Sequence, residues 1–398
     1  MRLLFLTPEV PYPADDGGRI KTLSILEYLR PRHDLTIFCF RRRSLSPEET
    51  RWAEEWNVTT IPLNRGRNAI NLLRSYLSGL PLSIERNRSD AMSDAVMRSI
   101  TSNGFDAALV DHWLMAQYLP EDFSGLSILL EHNAEYVMWR RHAELERNPF
   151  LRPLVRLEAR RVRRYEAHIL SPVDATFAVS ERDRQALIAA GAETSRIGIL
   201  PNLPGPDLLD RPSLDFSNAR PVILYFGTLS WQPNIEGIEY FMRSVLPRIR
   251  QKNPEARLLI AGKDAPAGLV RLAGATDGVD YLGLARDAEA LYQRARVFVD
   301  ATHSGGGTKV KVLNALARGV PVVSTPQAIE GLDVCPGEHV LTGADATSLA
   351  EAVVRLIGDA ALSSELAARG RALIRDKYTA DVAFAPLEEA LTGARARA

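Results

Sequence analysis

The sequence predicts an α/β protein with two Rossmann-like domains, each built on a doubly wound parallel sheet. Short apolar strand patterns alternate with longer helical patterns along the 398 residues, and this alternation is typical of parallel sheets. The order strand, glycine-bearing loop, helix, strand opens the chain and begins again at residue 221. A proline-rich segment, residues 201–212, separates the two series, and we interpret it as the interdomain linker.

In the first series, apolar runs predict the strands and apolar residues at helical spacing predict the helices. The helix after Gly17 and Gly18 is typical, because its leucines recur three residues apart. The predicted strands are residues 2–7, 35–40, 57–63, 106–110, 126–130, 174–179 and 197–200. The other predicted helices are residues 68–77 and 89–102, followed by a long arginine-rich helical region, residues 137–168.

The same alternation of strand and helix patterns continues in the C-terminal half. Its predicted strands are residues 221–226, 257–261, 279–282, 297–299 and 320–323. Its predicted helices are residues 234–251, 308–318, 347–357, 361–377 and 382–391. We therefore expect domains at residues 1–203 and 204–378, with residues 379–398 forming a helix that returns to the N-terminal domain.

Composition narrows the class of protein. The 49 basic and 49 acidic residues give a formal net charge of zero, which argues against nucleic-acid binding driven by phosphate neutralisation. Cys39 and Cys335 are far apart, and we recognise no cluster of His, Cys, Asp or Glu with metal-ligand spacing. The N-terminal apolar run is broken by prolines, and no apolar run approaches 18 residues. A cytoplasmic protein is expected.

The stretch from residue 304 to residue 325, SGGGTKVKVLNALARGVPVVST, predicts a glycine loop, a helix and a buried strand. A helix N-terminus attracts anions, and two of the chain's six lysines, Lys309 and Lys311, lie in its first turn. Lysine there opposes the helix dipole, so we expect a bound phosphate or diphosphate. Lys311 and Asn314 share a helix face, which places Asn314 near a sugar hydroxyl. The alternative is a structural glycine turn followed by a solvated basic helix start.

Polar residues follow several predicted strands. Ligands of doubly wound sheets bind outside the carboxyl ends of the strands. The residues at these ends in the first domain are Gly17, Gly18, Asp111, His112, Glu131 and His132. A histidine in such a position suits contact with a sugar, and the alternative is a structural histidine.

The arginine-rich region, residues 137–168, also allows two interpretations. Charge runs are most often solvated faces or intrahelical pairs. The alternative is a surface for an anionic lipid or a lipid-linked acceptor.

Taken together, these motifs resemble the group 1 sugar transferases, glycosyltransferase family 4 of the two-domain GT-B type. The resemblance is closest to the branch associated with bacterial exopolysaccharide assembly. The stretches that carry it occur in the family's order over nearly the whole chain: PEVPYPADDGGRIKTLSILEYL, VSERDRQALIAAGA, ILPNLPG, ILYFGTLSWQPNIEGIEYF, LPRIRQKNPEARLLIAGK, VDYLGLARDAEALYQRARVFV, GGGTKVKVLNALARGVPVVSTPQAIEGL and GEHVLTGADATSLAEAV.

The resemblance implies a GT-B fold whose two domains face a central cleft, and a retaining transfer from a nucleotide-activated sugar held there. Gly17 and Gly18 match the N-terminal glycine loop against the donor diphosphate and sugar. His112 matches the histidine that hydrogen-bonds the transferred sugar. Gly227 matches the start of the donor loop in the second domain, and Lys311 matches a lysine that contacts phosphate.

Two departures from the family pattern bear on the site. The family carries a glutamate at each end of a nine-residue span, and here those positions are Gly306 and Asn314. Asparagine still hydrogen-bonds a hydroxyl, but without the assistance of a charge. Thr228 replaces the usual donor-loop arginine, so neutralisation of the diphosphate falls to Lys309, Lys311 and helix termini.

The predicted site therefore has His112 and Lys311 as catalytic residues, with Glu131 and His132 lining the acceptor side. The donor-binding residues are Gly17, Gly18, Gly227, Thr228, Gly306, Gly307, Thr308, Lys309 and Asn314. No metal and no cofactor are expected, because lysines and helix termini supply the positive potential that a leaving diphosphate requires.

The predicted function is a metal-independent hexosyltransferase that uses a nucleotide-diphosphate sugar in bacterial polysaccharide or glycoconjugate synthesis. The acceptor is a glycan or a lipid-linked molecule, with peripheral contact at the inner face of the membrane as an option. Two alternatives remain open: a catalytically weakened donor-binding or scaffold subunit, with Asn314 as the lesion, and a GT-B-fold nucleotide-sugar epimerase.

Overall fold

Two parallel sheets, one in each of two units of the chain, contain the strands of the described residues. The structure is a computed structural model, and it describes residues 1–398 apart from 15, 64–68, 147, 206, 218, 286, 305–308 and 396–398. One unit comprises Met1–Pro201 together with the segment from Ala383, and the other comprises Asn202–Val382. The domain limits given above remain predictions.

The sheet of the first unit has the order β3-β2-β1-β4-β5-β6-β7, and its neighbouring strands are parallel. Its strands are β1 (Arg2–Thr7), β2 (Asp34–Arg41), β3 (Val58–Pro62), β4 (Ala107–Asp111), β5 (Leu126–Leu130), β6 (Ala175–Ala178) and β7 (Ile197–Ile199). The order reverses between β1 and β4, which creates a topological switch point.

Helices connect these strands: α1 (Gly17–Leu29), α2 (Pro47–Glu55), α3 (Ala69–Ser78), α4 (Leu82–Arg86), α5 (Asp90–Asn103), α6 (Glu135–Leu145), α7 (Arg152–Leu170) and α8 (Glu181–Ala190). One face of the sheet, including Leu4, Val110 and Leu129, forms a core with helices α4 to α8. Buried strands read as continuous apolar runs in the sequence because both faces of a parallel sheet are covered.

The second unit has the sheet order β10-β9-β8-β11-β12-β13. Its strands are β8 (Val222–Phe226), β9 (Arg257–Ala261), β10 (Val279–Gly283), β11 (Val297–Asp300), β12 (Val322–Ser324) and β13 (Leu341–Thr342). Its helices are α9 (Gln232–Tyr240), α10 (Leu246–Lys252), α11 (Ala267–Ala275), α12 (Ala288–Arg294), α13 (Val310–Arg318), α14 (Ala346–Gly358), α15 (Ala360–Lys377) and α16 (Ala380–Ala383). Here the switch point lies between β8 and β11.

The C-terminal helix α17 (Ala385–Arg395) belongs to the first unit. Phe384, just before it, makes an edge-on contact with Tyr28 of α1 at 5.4 Å between ring centroids. Glu388 of α17 accepts a 3.0 Å hydrogen bond from His33 Nε2. These contacts attach the end of the chain to the first unit.

Several elements differ from the sequence expectation. The arginine-rich region forms two helices, α6 and α7, and the two pack against each other. The helix breaks between them because residues 146–151 include Pro149, and α7 begins with a proline in its first turn. The predicted helix 234–251 is three consecutive segments, α9, a π-helical turn Phe241–Val245 and α10. Six further elements, most of them short, were not predicted from the sequence: α2, α4, α8, α11, α12 and β13.

Helix α13 ends as its sequence predicts. Gly319 adopts the left-handed conformation, with φ of 79° and ψ of 36°, and its amide caps the last turn. A side chain at this position would strain the backbone, and a Cβ atom would lie 2.8 Å from Arg371 Cδ. The glycine thus fixes where the helix stops and the strand β12 begins.

Among the described residues, no helix combines the length and the apolar character needed to cross a membrane.

Candidate active site

The switch point of the first sheet brings together residues that are distant in sequence. Thr7 ends β1, Asp111 ends β4, and the two strands are adjacent in the sheet. The Thr7 hydroxyl donates to Asp111 Oδ2 at 2.9 Å, and the Thr22 hydroxyl of α1 donates to the same oxygen at 2.6 Å. The sequence placed Asp111 at a strand end but did not assign it a role.

Asp111 is completely buried and its remaining oxygen binds a histidine. His132 Nε2 lies 2.6 Å from Asp111 Oδ1. Burial alone would raise the pKa of Asp111, but its interaction with His132 and its bond from Thr22 outweigh burial and lower the pKa to about 2. Asp111 is therefore a fixed anion under ordinary conditions.

His112, the predicted sugar contact, follows β4 directly and has an unusual backbone. Its φ is 79° and its ψ is 137°, a region that residues other than glycine rarely adopt. Its Nδ1 accepts a 3.3 Å hydrogen bond from the Leu114 amide, so its proton is on Nε2. Burial lowers the pKa of His112 to about 3, which keeps the ring neutral. A neutral Nε2–H donor suits a sugar oxygen.

The rings of His112 and His132 are neighbours, with centroids 5.2 Å apart. His112 Nε2 is 3.9 Å from Glu135 Oε1. Burial raises the pKa of Glu135 to about 7. The structure thus brings both predicted histidines into one cluster.

Lys21 is a member of this cluster that the sequence analysis missed. It lies on α1 and is 1% exposed, and its Nζ donates to the Glu131 carbonyl at 2.6 Å. Burial lowers the pKa of Lys21 to about 8, although Asp111 and Glu131 oppose this shift. The scarcity of lysine in the chain was the available signal, because a lysine in an amphipathic helix otherwise predicts a solvated position.

Glu131, predicted on the acceptor side, is buried. Neither of its carboxyl oxygens has a hydrogen-bond partner of good geometry among the described residues. Burial raises its pKa well above the usual range, and repulsion from Glu166 and Glu135 adds to the effect. Glu166 in turn accepts from the amides of Glu135 and Tyr136 at 2.8 and 3.0 Å, which caps the start of α6.

Gly17 and Gly18 begin helix α1, and Asp16 caps it by accepting from the Arg19 amide at 3.0 Å. A methyl group at Gly18 would lie 3.5 Å from Asp16 Oδ1 and 3.8 Å from His132 Nδ1. The predicted glycine loop and His132 are therefore in direct proximity.

The switch point of the second sheet gathers a separate polar cluster. Gly227 follows β8, and Asp300 ends the adjacent strand β11. Asn234 of α9 donates from Nδ2 to the Thr228 carbonyl at 2.7 Å, which ties the loop after β8 to the helix. A methyl group at Gly227 would lie 3.3 Å from Lys311 Cδ, so this glycine admits the lysine stem.

Lys311 lies at the centre of this cluster. Its Nζ is 3.1 Å from Asp300 Oδ2 and donates to Asn234 Oδ1 at 2.6 Å. It lies 5.0 Å from the centroid of the Tyr225 ring. Burial lowers the pKa of Lys311, while Asp300 opposes this shift. The predicted phosphate contact is thus also half of a buried ion pair.

The other residues predicted to bind the donor belong to α13 and to the segment before it. Asn314 Oδ1 accepts from the Gly205 amide at 2.7 Å, which ties α13 to the segment that precedes the second domain's sheet. Lys309 precedes α13 and is 8% exposed, so it does not point to bulk solvent. Gly306, Gly307 and Thr308 lie outside the described residues.

A cluster with possible metal-ligand geometry was also missed by the sequence analysis. The ligand atoms of Cys335, Glu338 and His339 lie within 4.8 Å of one another. However, His339 Nδ1 already accepts a 3.0 Å hydrogen bond from the Cys335 amide. The arrangement therefore closes a tight loop before β13.

Comparison with known proteins identifies the fold and the C-terminal domain. Residues 220–359 match the family model described as glycosyl transferases group 1. This part of the chain is similar to the group 1 glycosyl transferases. The match contains Gly227, Asn234, Asp300, Lys311 and Asn314.

Solved structures extend the fold similarity to the whole chain. Anabaena HepE, in complex with UDP and glucose, has a TM-score of 0.69 and 15% identity, over 99% of this chain and all of that one. WaaG, a glycosyltransferase involved in lipopolysaccharide biosynthesis, has a TM-score of 0.68 and 13% identity, over 98% of this chain and all of that one. Both Rossmann-like sheets are therefore those of the GT-B fold, as the sequence predicted.

One protein is similar to the chain in sequence over its full length. It is an uncharacterized 44.6 kDa protein in the cps region of Klebsiella pneumoniae, with 22% identity over 97% of this chain and 98% of its own length. The resemblance to group 1 glycosyl transferases is confirmed, and the roles of individual residues remain predictions.

Proposed function

We propose that this chain is a retaining glycosyltransferase that moves a hexosyl group from a nucleoside diphosphate sugar to a glycan or lipid-linked acceptor. The observation that carries the proposal is the Gly227, Asp300 and Lys311 cluster, which lies at a sheet switch point inside the group 1 glycosyl transferase match. Doubly wound sheets bind ligands at such switch points. The HepE complex with UDP and glucose supports a donor of this kind.

The proposed chemistry uses neither a metal nor a cofactor. A leaving diphosphate requires positive potential and preorganised donors, which lysines and helix N-termini provide. Lys309 immediately precedes α13, and Lys311 lies in its first turn. Because Asp300 partly neutralises Lys311, the proposal also assigns part of the anion binding to Lys309 and to backbone amides.

The proposed biological role is cytoplasmic synthesis of a bacterial polysaccharide or glycoconjugate. Two of the similar proteins support it, one by its involvement in lipopolysaccharide biosynthesis and one by its position in a cps region.

A weakened donor-binding subunit is the second candidate, and one observation favours it. Asn314 Oδ1, at the position of the family glutamate, is occupied by the Gly205 amide at 2.7 Å. A side chain already bonded within the protein contributes less to a ribose contact. An epimerase of the same fold has no specific observation in its favour.

Nucleotide binding and donor hydrolysis together test the proposal. The correct nucleoside diphosphate, at 100 times its Kd, should raise the free energy of unfolding by about 2.7 kcal/mol, and the free nucleoside should raise it less. Purified protein should also release nucleoside diphosphate slowly from the matching sugar donor. Stabilisation without hydrolysis or transfer would favour the binding subunit, and no stabilisation by any of the common nucleoside diphosphates would contradict both.

We also propose peripheral contact of the first unit with an anionic bilayer. Leu77 of α3 is 79% exposed and Phe150, before α7, is 85% exposed. Helices α3 and α7 are in contact, because Arg161 of α7 donates a hydrogen bond to the Ser75 carbonyl of α3 at 2.9 Å. Arginines in exposed positions on α7 supply positive charge for anionic headgroups: Arg152, Arg156, Arg160, Arg163 and Arg164.

Vesicle sedimentation tests this contact. The double variant Leu77→Ser with Phe150→Ser should lose at least about tenfold in affinity for vesicles that contain anionic phospholipid, because two apolar insertions are removed. Val270→Ser, at an exposed apolar position of the second unit, is the matched control and should bind like the wild type. The proposal would be contradicted if the wild type, the double variant and Val270→Ser bound anionic vesicles equally. It would also be contradicted if the wild type bound neutral vesicles as tightly as anionic ones.

A further inference from the structure

The sheet of the first unit is covered unevenly beside β5. The connection from β4 to β5 contains a short 3₁₀ helix, Trp113–Tyr118, whereas every other connection in this sheet carries an α-helix. A parallel sheet normally has helices over both of its faces. Six residues are too few to fill the place of an α-helix, so a space remains between α4, α5 and α7.

A cavity of about 720 Å³ occupies this space. Its volume is within the range of about 300–1,000 Å³ that is usual for pockets that bind small molecules. Apart from Ser127 and Tyr165, the buried residues of its lining are apolar: Ile84, Val110, Leu129, Ile169 and Val173. The strand-end residues Asp111, His112, Glu131 and His132 do not line it. The cavity is therefore separate from the cluster at the switch point.

One polar atom of the buried lining lacks a partner. Tyr165 is 8% exposed, and no described residue forms a hydrogen bond with its hydroxyl. The hydroxyl of Ser127, in contrast, donates to Asp174 Oδ2 at 2.7 Å. Buried hydroxyls in folded proteins are hydrogen-bonded with few exceptions. The Tyr165 hydroxyl therefore calls for a partner from a molecule inside the cavity.

The mouth of the cavity is acidic. The charged and ionisable residues of the lining are exposed: Arg88, Asp90, Glu121, His168 and Asp174. Three carboxylates thus outnumber one guanidinium and one imidazole. Arg88 also lies 4.0 Å from Glu85, which offsets part of its charge. A cleft lined by an excess of one sign attracts the opposite sign, so this mouth favours a cation.

We propose that the cavity binds a small organic amine with an apolar body. Its ammonium group lies at the carboxylates of the mouth, and a hydroxyl or carbonyl at its other end bonds to the Tyr165 hydroxyl. The apolar body displaces water from the buried walls. A fatty acid or a phosphate ester would bring negative charge to the acidic mouth, and a purely apolar amine would leave the tyrosine hydroxyl unpaired. This site does not depend on the proposed glycosyl transfer.

The cavity lies beside the segment that follows His112. Trp113, the first residue of the short 3₁₀ helix, packs edge-on against Tyr165 with 5.7 Å between ring centroids. Ala116 and Gln117 of the same helix line the cavity. A bound molecule therefore contacts the helix that begins directly after His112.

Three related compounds test the proposal feature by feature: tyramine, 2-phenylethylamine, which lacks the hydroxyl, and 4-hydroxyphenylacetate, which replaces the ammonium with a carboxylate. In methyl NMR, tyramine should shift the signals of Ile84, Val110 and Leu129 in a saturable way. The methyl signals of Ile223 and Val299, buried in the second unit, are the control and should not move.

Tyramine should bind more tightly than either of the other two compounds. Loss of the hydroxyl should weaken binding about fivefold, the usual effect of one hydrogen bond. Reversal of the charge should weaken binding by at least about fivefold, because attraction to exposed carboxylates becomes repulsion. The proposal is overturned if tyramine does not enter the cavity, which then holds water only, or if either of these two preferences is absent.

Tyr165→Phe removes the hydroxyl and keeps the ring. Because this hydroxyl has no partner among the described residues, the variant should fold with undiminished stability. It should bind tyramine and 2-phenylethylamine with equal affinity. Tyr281→Phe, on β10 of the second unit, is the matched control and should keep the fivefold preference. A preference for tyramine that survives in Tyr165→Phe would refute the contact.

Ser93→Phe tests whether the cavity is the place of binding. Ser93 lies on α5 and lines the cavity, so a phenyl ring there takes up the space of the ligand. The affinity for tyramine should fall at least about tenfold. Ser99→Phe, at another half-buried position of α5 that does not line the cavity, should bind tyramine like the wild type. Wild-type affinity in Ser93→Phe would refute the site. None of these measurements requires sugar transfer, so the proposed function can fail while this site stands, and the reverse.

Discussion

Lys311→Ala is expected to lower the free energy of unfolding by about 3–5 kcal/mol, because it leaves Asp300 buried without its cation. Asp300 is 0% exposed, and Lys311 Nζ lies 3.1 Å from its Oδ2. Asn234 would lose its 2.6 Å partner at the same time. Denaturant unfolding measures the loss. Lys252→Ala, at an exposed position at the end of α10, is the control and should change stability by less than about 0.5 kcal/mol.

The same substitution is expected to lower transfer by about 10²–10³-fold, the usual cost of removing one electrostatic donor to a transition state. The double variant Asp300→Asn with Lys311→Met separates this effect from stability. It removes both charges, so much of the folding loss should disappear. Low transfer by a stable double variant would confirm the contact with phosphate. Normal transfer would show that Lys311 only joins β8, β11 and α13.

His112→Gly is expected to lower kcat by about 10²–10³-fold without lowering stability. The imidazole donor is lost, which costs catalysis. At the same time, glycine adopts φ of 79° without the strain of about 1–3 kcal/mol that a histidine bears there. His112→Ala loses the same donor but keeps the strain, so it should be the less stable of the two. Steady-state kinetics and denaturant unfolding of both variants check this expectation.

Asn57→Gly is the matched control for this prediction. Asn57 also has a positive φ, of 50°, but it lies in an exposed turn before β3. Its replacement should leave kcat unchanged. If His112→Gly were fully active, or if it unfolded more easily than His112→Ala, His112 would be a structural residue and the strained conformation would have no catalytic meaning.

Local patterns in the sequence were sufficient to predict most of the strands. The runs at β1, β5 and β9 were placed at their observed limits, because strands covered on both faces are continuous apolar segments. Short helices were not predicted where burial defines the helix and a periodic pattern of apolar residues does not. Helix α4, with five residues, is an example. The break between α6 and α7 was missed because arginines continue across it and conceal the change of element.

The candidate site shows where the sequence stops being sufficient. The sequence predicted that residues at strand ends bind the ligand, and His112 and Lys311 do lie at the switch points of their sheets. It did not indicate that Lys21 is buried, because a lysine on an amphipathic helix usually faces water. It also did not reveal that Lys311 already has a carboxylate partner.

By itself, the sequence determined the two parallel-sheet series, the glycine that ends α13 and the resemblance to group 1 glycosyl transferases, because these depend on residues that are near one another in the chain. Only the tertiary structure decided which charges meet. Asp111 accepts hydrogen bonds from Thr22, which is 89 positions away in the chain, and from Thr7, which is 104 positions away. These contacts depend on the order of the strands in the sheet. Strand order follows from the packing of the whole unit, and so do the burial that keeps His112 neutral and the neighbours that make Asp111 a fixed anion.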